Sequence, residues 1–156
     1  MRRRQRKTDA RRGTTIVELA FVLPVFLLFL MALIEFGHAQ MVLNTLRSAC
    51  RTAARIGSTE GQTTADVEAH VKRILGGAID PEMVTVFVKD GASLDGGSAP
   101  EDASDLESLP NITLEDAEPR ALFVVRARVN YNDVAVLPVP FMDGAVLASQ
   151  AFMRHE

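Results

Sequence analysis

Cysteine occurs once in this chain of 156 residues, at Cys50. A lone thiol cannot close an intramolecular disulfide, so the fold is not stapled. Cys50 reads as a small buried residue on a helix, with an intermolecular bridge as the alternative. The histidines, His38, His70 and His155, lie far apart and lack metal-ligand spacing. There is no Cys–His nucleophile pair, no G-x-S-x-G and no P-loop. These absences leave no sequence grounds for an enzyme, a metal site or a cofactor. The chain reads as the substrate of an enzyme.

Charge is missing from residues 19–34, LAFVLPVFLLFLMALI, which also lack any strongly polar side chain. At about 1.5 Å per residue this run makes a helix of about 24 Å, short of a hydrocarbon core of about 30 Å. Extension to residues 14–37 makes it long enough but brings in Glu18 and Glu35. Acids in membrane helices are costly and point to a function by default. Glu18 falls just inside the inner end, and Glu35 is expected near the outer interface, within reach of water. Pro24 lacks the N–H that would bond Ala20 and is expected to kink the helix, as membranes tolerate.

Charge elsewhere is unevenly shared. Residues 1–13 hold seven basic side chains and one acid, a net +6; the remainder holds ten basic and nineteen acidic ones, a net −9. A basic run can bind nucleic acid, but no aromatic or basic surface pattern follows it here. Placed directly before an apolar segment, it reads as a cytoplasmic anchor under the positive-inside rule.

A secretory signal peptide competes with the membrane helix, with Gly37-His38-Ala39 as a small-x-small site and Gln40 as the mature start. The helical pattern continues past that point, however. Val42, Leu46, Ala49, Cys50, Ala53 and Ile56 recur on one face, and Arg47, Arg51 and Arg55 on another. The spacing favours one helix over about 14–57, half in lipid and half in water, stopped at Gly57. The arginine face reads as solvated.

Arg12-Gly13 followed by Thr14-Thr15-Ile16-Val17-Glu18 and an apolar helix resembles the start of type IV prepilins and pseudopilins. Gly13, Val17, Glu18, Pro24, Ile34, Glu35, Phe36 and Gly37 are similar to the signature of TadE-like proteins of tight-adherence pilus systems. The following ACRTAARIGS and the closing VLASQAFMRHE also resemble that family. The resemblance implies a single-pass protein of the bacterial cytoplasmic membrane, with the C-terminal domain outside. It implies cutting by a prepilin peptidase between Gly13 and Thr14, and partners among pilin-like subunits and the secretion machinery. It also implies a role for Glu18 in pairing with the new α-amine of a neighbouring subunit. After that cut the mature chain would start with Thr14 where major pilins commonly have an aromatic residue, which argues against a major fibre subunit and is compatible with a minor or assembly-assisting one.

The outer part begins with a polar link, with Thr64 or Ser58 as candidate cap. Residues 65–75 read as an amphipathic helix stopped by Gly76-Gly77. Residues 83–89 read as a strand, 122–131 as the clearest strand and 145–153 as a last one. In the second strand Val124, Arg126, Arg128 and Asn130 are expected to face water. Residues 90–120, rich in Gly, Ser, Pro and acids, read as a long solvated, flexible loop. Its acids lack Ca²⁺-loop spacing. The expected organisation is a leader at 1–13, a membrane helix at 14–37, its soluble continuation at 38–57 and a small domain at 58–156. The fold class is α+β: a long N-terminal helix, a short helix and a small antiparallel sheet.

Overall fold

The computed structural model describes residues 9–97, 104–137 and 139–156, apart from the side chains of 9–14 and 141. Helix α1 (Asp9–Gly57) runs without interruption through Pro24. Helix α2 (Thr64–Leu75) follows, then β1 (Thr85–Asp90), a single turn α3 (Asp105–Ser108), β2 (Leu122–Asn130), a turn α4 (Tyr131–Val134) and β3 (Val146–Arg154). The strands form one antiparallel sheet in the order β1-β2-β3. This is the α+β architecture expected from the sequence.

α1 has two halves with opposite surroundings. Between residues 15 and 34 almost every side chain is exposed, Phe21 to 77%. From Glu35 onward one face is covered. Val42, Leu46, Ala49, Cys50, Ala53 and Ala54 pack with Val67, Val71 and Leu75 of α2 and with the inner face of the sheet. The sheet contributes Phe123, Val125, Ala127 and Val129 from alternate positions of β2. Full burial of each valine, leucine or phenylalanine among them contributes roughly 1.5–3 kcal/mol. The small residues at 49, 50, 53 and 54 let the sheet come close to the helix. Arg47, Arg51 and Arg55 lie on the exposed face, as their spacing predicts.

The ends of these elements follow local chemistry. Thr63, rather than Thr64 or Ser58, caps α2, and it forms a capping box with Asp66. The hydrogen bonds from Thr63 hold the Asp66 carboxyl below its usual range. Gly57 ends α1 where a side chain has no room. A Cβ there would stand 2.7 Å from Val67 Cγ2 and 3.1 Å from Leu114 Cδ1. The glycine is therefore needed for close packing as much as for stopping the helix. The chain's last residues return to the same place. Glu156 N–H donates to Ser58 O at 2.8 Å, and buried His155 sets Nδ1 3.2 Å from Gly57 O.

Two sequence expectations are corrected. The segment 90–120 was expected to be a solvated loop, yet Leu106 and Leu114 within it are fully buried. Asp90 N–H donates to Pro110 O, and Lys89 bridges to Asn111, so the returning chain lies beside β1. Consequently the outer face of β2 is not wet throughout. Val124 and Arg126 are buried there, and α3 packs against this strand. Glu107 of α3 takes Arg126 Nε at 2.9 Å and Arg128 Nη1 at 2.7 Å, and Gln150 takes Arg126 Nη1 at 3.0 Å. The Arg128 guanidinium also stands 5.4 Å from the centre of the Phe87 ring. An arginine can occupy this covered position because its Nε and Nη1 each have an oxygen partner.

Candidate functional site

The molecule's most unusual surface is the bare half of α1. It is long and apolar enough to cross a membrane, and no part of its most apolar stretch is covered by the rest of the chain. A core helix of comparable hydrophobicity would be covered on at least one side. Here Phe26, Leu23, Leu27, Met31, Leu28 and Val25, which follow one another around the helix, are all exposed, so apolar side chains project on all sides. Such a surface needs lipid or other apolar helices around it.

Gly13 and Thr14 lie on the backbone of α1, and the leader residues 1–8 fall outside the described residues. Glu18 sits on the bare half and is exposed. Pro24 is inside the helix. Gly37 is exposed, with open space where a Cβ would stand. The residues singled out from the sequence are therefore strung along one helix rather than gathered in a pocket. Among the described residues, no group of three or more His, Cys, Asp or Glu side chains is placed to hold a metal ion.

Glu35 is the correction. Expected at a water-accessible interface, it is instead 0% exposed. Its Oε1 accepts from Val136 N–H at 3.2 Å and its Oε2 from Leu137 N–H at 2.9 Å. Both amides belong to the connection between α4 and β3, which folds over the helix at this level. A carboxylate accepting from backbone donors is tolerated where water is excluded. The Tyr131 hydroxyl faces the same carboxylate without an aligned hydrogen bond. Burial, followed by the interaction with Glu35, pushes the tyrosine up to about 12. Tyr131, Val136 and Leu137 were not recognised as partners of Glu35 from the sequence. The only signal was an acid at the end of an apolar run.

Cys50 is buried, as its small size on the packed face suggested, and its thiol donates to Ser149 O at 3.3 Å. Burial pushes it up to about 11, far from the range of a reactive thiolate.

No curated protein and no solved structure was found to match the chain. The model of the TadE-like protein family matches residues 13–55. The segment that begins at Gly13, carries the bare apolar helix and ends just before Gly57 is thus similar to TadE-like proteins.

Proposed function

We propose that this protein is a TadE-like minor pseudopilin or assembly component of a tight-adherence, type IV-like pilus, and that it is not an enzyme. Residues 1–13 form a cytoplasmic leader, 14–37 the membrane helix, 38–57 its soluble continuation and 58–156 the extracytoplasmic domain. The orientation follows from the +6 leader. A prepilin peptidase cuts after Gly13, where the absence of a side chain lets the protease approach the backbone. Its partners beyond that peptidase are other pilin-like subunits, the secretion machinery and the membrane, not nucleic acid.

The observation that carries this reading is an overlap. The TadE-like family model matches residues 13–55, and the uncovered apolar stretch of α1, residues 15–34, lies wholly within that match. Cutting there removes the basic leader and frees an α-amine at Thr14. Glu18 of a neighbouring subunit pairs with that amine in low dielectric, which compensates a carboxylate otherwise expensive in lipid. The pair fixes the axial register between packed helices.

The alternative, a secreted or signal-anchored binding domain, involves either cleavage near Ala39 or none. Ala39 is buried in the domain core within an unbroken helix. A cut there also detaches Glu35 from the loop it holds. The deciding measurement is the N-terminus of the mature protein from its native membrane. A start at Thr14 is expected; a start at Gln40 or an intact Met1 overturns the processing. Normal assembly of a Glu18→Gln protein overturns the pairing.

A further inference from the structure

We infer that the loop held by Glu35, residues 134–142, is a second membrane contact that seats the outer domain on the lipid surface. This rests on the proposal that α1 crosses the membrane. The sequence of the loop, VAVLPVPFM, carries no charge between the exposed acids Asp133 and Asp143. Its ends are clasped by Asn132, which donates to Asp143 at 2.5 Å. Val136, at the level of Glu35, is 59% exposed, although its own amide is tied to the helix.

The level is what identifies the occupant. From Thr15 to Glu35 the helix rises about 30 Å, the thickness of a hydrocarbon core. With the leader's end at the inner interface, Glu35 and its loop come to the outer one. Exposed apolar side chains stand on both elements there. Leu33, Ile34 and Phe36 on α1 are all about as open as Val136. An apolar loop at this height either dips among the headgroups and upper acyl chains or leaves Val136 in water beside lipid. Glu35 makes the first arrangement inexpensive. Its carboxylate already has two backbone donors, so the domain can settle on the membrane without stranding an acid or two amides. Helix and loop together then restrain the tilt of the domain, which a single helix leaves free to vary.

The chain contains no tryptophan, so one introduced tryptophan reports alone. The full-length protein is reconstituted in phosphatidylcholine–phosphatidylglycerol vesicles whose acyl chains are brominated near the headgroup end or near the middle. Three single-tryptophan variants are compared: Val136→Trp in the loop, Phe26→Trp in the helix, and Glu60→Trp beyond the far end of α1. Expected are strong quenching of Val136→Trp by the shallow label, of Phe26→Trp by the deep one, and of Glu60→Trp by neither. Quenching at Phe26→Trp but not at Val136→Trp overturns the loop contact and leaves the membrane helix standing. No quenching at Phe26→Trp removes the membrane helix and the loop contact together. The unsubstituted chain supplies an independent reading. In vesicles with a photoactivatable acyl chain, adducts are expected on the peptides covering 19–34 and 134–142. Adducts on the first peptide alone overturn the inference.

Discussion

Glu35 and Leu137 are 102 positions apart in sequence, and the carboxylate of one accepts the backbone N–H of the other at 2.9 Å. Through this bond and its twin to Val136, the last turn of the bare helix holds the connection that leads into the final strand. Removing the carboxylate orphans two amides in a covered place. Glu35→Ala is expected to destabilise the outer domain by about 3 kcal/mol, from the loss of charge-assisted bonds and the cost of unsatisfied donors. Glu35→Gln keeps one oxygen and should fall between Ala and the natural residue. Denaturant unfolding in micelles gives the ordering, and hydrogen exchange at Val136 and Leu137 locates it. Unchanged exchange at both amides in Glu35→Ala rules out the anchoring role.

The covered arginine on the outer face of the sheet makes a second test. Glu107→Ala leaves Arg126 with Gln150 alone and frees Arg128 from its carboxylate. A loss of about 2 kcal/mol is expected, since removing one partner leaves the other charge poorly compensated. Replacing Arg126 by Met together with Glu107 by Leu should recover much of it, because an apolar pair needs no partners there. Equal stability of Glu107→Ala and the natural protein in urea unfolding contradicts the role given to this ion pair.

Gly57→Ala pits local against tertiary preference. Alanine favours a helix over glycine by about 1 kcal/mol. The added methyl, however, meets Val67 Cγ2 at 2.7 Å in a filled core. Overpacking of this kind costs about 1–3 kcal/mol, so a lower melting temperature is expected. A double variant with Val67→Ala makes room and should recover part of the loss. A rise in melting temperature for the single variant shows that the glycine acts only through its backbone.

Alkaline pH should loosen the domain. The Cys50 thiol moves from 9.0 to about 11 on folding, because burial disfavours the thiolate. A raised folded value means that only the unfolded chain ionises between the two. The contribution is therefore complete below pH 9 and is lost as pH rises towards about 11, at about 1.4 kcal/mol per pH unit. Tyr131 acts in the same sense from pH 10 to about 12. Cys50→Ala should flatten the fall of unfolding free energy between pH 9 and 10. An equally steep profile in that variant assigns the alkaline loss to other groups.

The sequence alone was enough for the long helix, its apolar half, the arginine face, α2 and three strands. Each of these is a periodic pattern written in consecutive residues, and the similarity to TadE-like proteins over residues 13–55 is likewise local. It was not enough for what the segment 90–120 does. Leu106 and Leu114 are sparse apolar residues among polar ones, and their burial depends on a sheet face supplied by other parts of the chain. Nor could alternation in β2 reveal that Arg126 is covered, because alternation assigns faces without saying what lies on them. Glu35 divides the two kinds of knowledge most clearly. The sequence determined that an acid stands at the end of an apolar helix, a costly placement that demands compensation. Only the tertiary structure decided that backbone amides from a distant loop, and not water, supply it, because those donors belong to no side-chain pattern and come within reach only when β2 and β3 pack against the helix.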